Sequence, residues 1–244
     1  MAGPRDTGDL EIVSGATVTI MVIDDSILRA GVKAARALGL EGFAAPSSSG
    51  PGKEIAPDAG QVTDWETLAG NGAIRRLMLD VGTINADFAA LGDPRTEKNA
   101  EASAPDQAYL DVRTALVSHP AIGRSLLGEA GWDNLAARLE PGDHAIAVLG
   151  AGEWSFKGSG YVRGGIFDRI VLIQHDVSVR FRDRMHKRIN TIVAEGAPVF
   201  NEADLFKIPA DSGFDPTKPF RIQLLVQREV GAIEKVFTTF DLGY

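Results

Sequence analysis

From His144 to the end of the chain, five stretches alternate apolar with polar positions or carry β-branched and aromatic residues between turn signals: HAIAVLGAG, IFDRIVLIQHD, VSVRFRDR, FRIQLLVQREV and EKVFTTFDLGY. A period of two sends successive side chains to opposite faces, so each stretch buries its apolar set only as a member of a sheet. Turn signals, not long helical crossovers, separate them, and that makes the sheet antiparallel. The N-terminal half reads differently. Ile20, Ile23, Ile27, Ala30, Ala34 and Leu38 fall three or four apart, a helical stripe over 16–38, with Asp25 and Arg29 paired on the wetter face and Gly39 placed to end it. Short helices are expected at Asp64–Ala69 and across TINADFAALG, and strands at Ile74–Leu79 and across AYLDVRTALVS. GRSLLGEAGWDNLAARLE is expected to form two helices breaking at Gly131. The order of elements predicts an α+β fold: an N-terminal helix, then a mixed domain with mainly antiparallel β-sheet in the C-terminal half.

Two soft connections interrupt this order. GFAAPSSSGPGKEIAPDAG is too rich in Pro, Gly and Ser to propagate helix or sheet, and DPRTEKNAEASAPD reads as a second loop. The first sets a division into 1–43, a linker at 44–63, and an α+β domain at 64–244. With 44% hydrophobic and 24% charged residues, the 244-residue chain has the composition of a globular protein. A net charge of −8 argues against nucleic acid as a partner, because the phosphate backbone demands a basic surface. The absence of Cys removes disulfides, thiolate-held zinc and iron–sulfur ligation from this chain. MAGPRDTGDL has no apolar core of a leader, and the run Val18–Ile23 stops at Asp24 and Asp25, too short to cross a bilayer; the expectation is a soluble segment with neither signal nor span.

The chemistry concentrates at EIVSGATVT. Ser14 and Thr17 flank Gly15 and Ala16 just ahead of the helical stripe. A hydroxyl at a helix start lies near unpaired backbone N–H groups and the positive end of the helix dipole, where a phosphate is favoured by up to about 2 kcal/mol. The small residues leave Thr17 open to a modifying enzyme. The same residues also make an ordinary helix cap, and both readings stand on the residues alone.

SGATVT resembles the flavin-attachment motif of extracytoplasmic FMN-binding domains, which occur in sodium-pumping quinone reductases, Rnf-type complexes and the NosR/NirI regulators of nitrous oxide respiration. WSFKGSGYVRGGIFDRIVLIQ, VSVRFRDRMHKRI and FDPTKPFRIQLLVQREVGAIEKVFTTFDLGY are similar to the NosR/NirI family specifically, and the likeness covers most of the chain. The resemblance implies FMN joined through a phosphoester to Thr17 by a flavin transferase, with Ser14, Gly15 and Ala16 completing the motif and Glu11 matching an acidic residue ahead of it. It implies that 1–43 is the C-terminal remnant of an FMN-binding domain and that 64–244 is a periplasmic domain typical of the family. It further implies a place on the periplasmic face of the bacterial inner membrane, electron transfer in support of nitrous oxide reductase expression and activity, and a regulatory module in place of a turnover enzyme. The partners implied are the remainder of the chain's own membrane protein and nitrous oxide reductase or its maturation proteins. Only thirteen residues precede Ser14, where the family fold has most of its strands, so the chain is read as a truncated portion. The alternative is a non-redox interaction or sensor domain that carries no flavin.

Other features are weaker. GAGEWSFKGSGYVRGG, residues 150–165, has six glycines but matches neither dinucleotide nor P-loop spacing, so hairpin turns are preferred over a phosphate cradle or a partner loop. RFRDRMHKR would set Arg180, Arg182 and Arg184 on one strand face, as an anion contact or as a solvated face. His119, His144, His175 and His186 show no metal-ligand spacing. Ser159 lies outside any nucleophile elbow. Trp65, Trp132 and Trp154 could stack on a flavin or anchor the core.

Overall fold

The alternating stretches pair into two antiparallel sheets, not one. The computed structural model describes residues 60–158, 165–232 and 234–244, with positions 31, 34 and 38 of the N-terminal helical stripe. Gly31 and Ala34 are helical there, and Leu38 N donates to Ala34 O at 3.0 Å in a turn.

Sheet A has the order β1-β2-β3-β7-β6, built from Ile74–Asp80, Ala108–Ala115, His144–Gly150, Glu202–Ile208 and His186–Arg188. Sheet B has the order β5-β4-β8-β9, built from Val177–Arg182, Ile166–Gln174, Arg221–Glu229 and Lys235–Gly243. Every pairing is antiparallel. Helices α1 (Trp65–Gly70), α2 (Val81–Ala90), α3 (Pro94–Lys98) and α4 (Pro120–Ala136) complete the described elements.

Alternation decides the layers. Ile146 and Val148 of β3 and Phe206 and Ile208 of β7 join Leu172 of β4, Phe181 of β5 and Ile222 and Leu224 of β8 in one core between the sheets. Ala145, Ala147, Leu149 and Leu205 point the other way and pack on Trp65, Leu68, Leu126 and Leu135 of α1 and α4. Sheet A is therefore covered on both sides, and β2 and β3 are buried along nearly their whole length. On β8, Ile222, Leu224, Val226 and Arg228 are buried while the residues between them are part-exposed, the signature of a strand with one wet face. At the centre of the inter-sheet core, the Phe206 ring lies 4.7 Å from Phe167 and 4.8 Å from Phe181, within the range of favourable aromatic contact.

Short aspartate caps set the helix starts. Asp64, Asp80 and Asp93 accept from the backbone N–H of Thr67, Thr83 and Arg95 at 2.8, 2.7 and 2.9 Å. In α2, Val81, Ile84 and Phe88 are fully buried at helical spacing.

Several expectations need correction. The loop expected at DPRTEKNAEASAPD contains α3, started by the Asp93 cap and Pro94. The helix break falls at Gly128, not Gly131: Gly128 has φ 71° and ψ 171°, a region essentially closed to other residues. The glycine-rich segment is not a hairpin, because β3 belongs to sheet A and β4 to sheet B; it is a crossover between sheets. Gly152 is required there by space, since a Cβ would stand 2.3 Å from the Tyr109 carbonyl oxygen. Finally, β5 ends at Arg182, so Arg184 falls in a 3-10 turn, Asp183–Met185, and does not share a strand face with Arg180 and Arg182.

Candidate functional site

Ser14, Gly15, Ala16 and Thr17, the residues on which covalent FMN was expected, lie outside the described residues. The three tryptophans do not form a stacking platform in the described fold. Trp154 is buried and donates from Nε1 to Leu225 O at 3.2 Å; Trp65 is buried against Phe200; Trp132 lies beneath Arg124. Each anchors packing, the second of the two roles open from sequence.

Where the crossover leaves sheet A, it is held by a charged seam. Asp204 of β7 is fully buried and faces the inter-sheet core beside Phe206. His186 Nε2 lies 2.6 Å from Asp204 Oδ1, and Lys157 Nζ lies 2.9 Å from Oδ2. Because a carboxylate only accepts, Nε2 is the protonated ring nitrogen in this pair. Next to it, Ser155 Oγ donates to Glu202 Oε1 at 2.7 Å, and Arg169 of β4 donates to Ser155 O at 2.9 Å. These contacts bind the crossover to β7 on one side and β4 on the other. Together they tie the crossover to both sheets around a carboxylate that is itself fully buried, while the Lys157 side chain stays part-exposed and His186 reaches the outer edge of sheet A.

His144 begins β3, its Nδ1 3.3 Å from Ser118 Oγ and its ring edge-on to Phe214 at 5.7 Å. Burial pushes its pKa below the ordinary histidine value, against the opposing pull of Asp143 and Asp215. His119 shifts the same way through burial. Asp143 is held low despite its own burial, because Lys207 and the backbone N–H groups of Glu140 and Ala210 all favour the carboxylate. Among the described residues, no group of three or more His, Asp or Glu is placed to hold a metal ion. No described helix is long and apolar enough to cross a membrane.

A groove of about 190 Å³ opens outward at the β6 edge of sheet A, with charged side chains around it. Leu135, Ala145 and Leu205 contribute buried apolar side chains to its lining. Arg138 from the turn after α4, Arg184 from the 3-10 turn, Lys187 from β6 and Lys207 from β7 contribute cations. Lys207 pairs with Asp143 at 2.5 Å, and Lys187 donates to the neutral Asn134 Oδ1 at 2.5 Å. Arg138, Arg184 and Lys187 have no carboxylate ion-pair partner among the described residues. Part of the RFRDRMHKR cluster therefore does converge on one place, though by a turn and an edge strand and not by one strand face. Arg138 and Lys207 were not singled out from sequence, since they stand far from the cluster along the chain and only the fold brings them to it. Asp204 and Lys157 were missed for the same reason; the alternation in ADLFKI was the signal that could have shown the strand carrying Asp204.

Two proteins named Regulatory protein NosR, from Pseudomonas aeruginosa and Stutzerimonas stutzeri, are each 42% identical to this chain, over 237 and 235 residues or 96% of it. Protein NirI from Paracoccus denitrificans is 28% identical over 225 residues, 91% of the chain. The chain spans about a third of the length of these relatives, 32% of each NosR and 30% of NirI. No protein-family model matches the chain, and no solved structure matches it.

Proposed function

We propose, from the premise that this chain is a relative of NosR and NirI along nearly its whole length, that it is the periplasm-facing part of a membrane flavoprotein with a NosR-type regulatory role. The observation that carries this reading is the 42% identity over 96% of the chain, in a sequence that also contains Ser14-Gly15-Ala16-Thr17. In this reading residues 1–43 carry the flavin motif, 44–63 link it, and 64–244 form the two-sheet domain. Thr17 holds FMN by a phosphoester. A flavin transferase joins Thr17 Oγ to the FMN phosphorus of FAD as the pyrophosphate P–O bond breaks; AMP leaves, the hydroxyl proton is released, and no electron is gained or lost. Gly15 and Ala16 carry no bulky side chain and leave the Thr17 hydroxyl open to the transferase.

When bound, the flavin supplies reversible electron transfer; the chain's part is to hold it and set its surroundings. The output is support of nitrous oxide reductase expression and activity, with that reductase or its maturation proteins as partners. The test is made in the whole protein in a denitrifying cell. Thr17→Ala should cause nitrous oxide to accumulate while the variant protein persists at its normal level. Unchanged nitrous oxide consumption would contradict the redox part of the proposal and favour the second reading, an interaction or sensor domain without flavin. That second reading draws its support from the outward-facing cationic groove on the two-sheet domain.

A further inference from the structure

We infer that the groove between α4, the 3-10 turn and strands β6 and β7 is a binding site for a small organic anion, one carboxylate or phosphate group on a short apolar stem. It uses none of the residues of the proposed flavin site.

The charge is the first argument. The chain carries a net charge of −8, yet Arg138, Arg184, Lys187 and Lys207 meet around one groove. Local acids neutralise only part of this. Asp143 engages Lys207, and His186 is engaged by Asp204, with Asp183 Oδ1 3.9 Å from its Nδ1. Arg138, Arg184 and Lys187 are left without a carboxylate partner among the described residues, although Lys187 is steered by Asn134. Like charges held around one recess repel each other, and an anion seated among them removes that repulsion. Two of the three are arginines, whose planar forks match the oxygens of a carboxylate or phosphate.

The shape is the second argument. Leu135, Ala145 and Leu205 provide an apolar lining beneath the cations, and Met185 and Leu139 extend it. A volume of about 190 Å³ is smaller than the several hundred Å³ of a typical drug-sized pocket. That matches one anionic group on a few carbons. The lysine positions are also set in advance: Asn134 holds Lys187 and Asp143 holds Lys207, and Asp143 is itself fixed by two backbone N–H groups. Less ordering is then required when the ligand arrives.

The test is titration of the 244-residue chain with butyl phosphate, followed by backbone amide NMR, with inorganic phosphate and butanol in parallel. The expected result is saturable shifts confined to the groove, at Ala145, Leu205 and Lys207, with butyl phosphate binding tighter than either control. Arg138→Ala with Arg184→Ala should weaken binding roughly tenfold or more. Both arginines are exposed, so the fold should survive their loss. As an arm that needs no variant, raising salt from about 20 to about 200 mM should weaken wild-type binding severalfold. No saturable shift up to about 20 mM butyl phosphate, or binding indifferent to both salt and the arginine pair, would overturn the proposal. Inorganic phosphate binding as tightly as butyl phosphate would overturn the apolar-stem assignment.

Discussion

Replacing Asp204 tests the seam that joins the crossover to sheet A. Its carboxylate is fully buried between His186 at 2.6 Å and Lys157 at 2.9 Å. Removing one member of a buried ion pair typically costs 3–5 kcal/mol, because the other charge stays behind without a partner. Here the Lys157 side chain is 23% exposed and recovers some hydration, which brings the expected cost of Asp204→Asn to about 2–4 kcal/mol. Lys157→Met should cost about 1–3 kcal/mol, since Asp204 has no water to turn to but keeps His186 at 2.6 Å. In the double variant neither charge is stranded, so the two losses should fall short of additivity by about 1–3 kcal/mol. Urea unfolding of the four proteins measures this cycle, with the slope of the transition compared across them to confirm that the same surface is exposed. Losses that add to within about 0.5 kcal/mol would mean that Asp204 and Lys157 are stabilised independently and that no ion pair joins them.

Three further outcomes follow from single positions. Gly128→Ala should destabilise by about 1–3 kcal/mol in thermal unfolding, as alanine must either adopt φ 71°, ψ 171° or straighten the α4 kink. Tyr244→Phe should cost about 1 kcal/mol by denaturant titration, because the phenol donates to the buried Thr114 Oγ1 at 2.6 Å while its ring stacks on Phe220 at 4.3 Å and would remain. His144 is held neutral by burial, so the unfolded chain takes up its proton first. Stability from this group is complete above about pH 6.5 and is lost as pH falls below it toward the lower folded pKa; His144→Phe should flatten the stability profile between about pH 7 and 5.

What could be read from the chain followed from how local each feature is. The alternation of Ile222, Leu224 and Val226 is a property of nine consecutive residues, and β8 formed where that pattern placed it. Strand β7 was missed because EADLFKI opens with charges and sits between Pro198 and Pro209, while β6 is only His186–Arg188, too short and too charged to carry a period. The α+β class with antiparallel pairing was legible, but the division into two sheets was not. Whether β3 and β4 form a hairpin or part company depends on β7 inserting beside β3, a pairing made across more than fifty residues. The groove was half legible: Arg184 and Lys187 lie in a conspicuous basic run, whereas Arg138 and Lys207 reach it only through the packing of α4 and β7 on sheet A. The Ser14–Thr17 motif owes its reading to a short string of residue types and to resemblance, not to a geometry in the described fold.

Attachment of flavin to Thr17 can be read directly from the denatured protein. The chain is co-expressed with a flavin transferase in cells supplying FAD, denatured, and examined by intact mass and by ultraviolet fluorescence in the gel, beside Thr17→Ala. The expected result is a mass increase of one FMN ester that survives denaturation, fluoresces, and disappears in Thr17→Ala. Folded protein that emerges without the adduct, or an adduct that persists in Thr17→Ala, would overturn the assignment of flavin to Thr17.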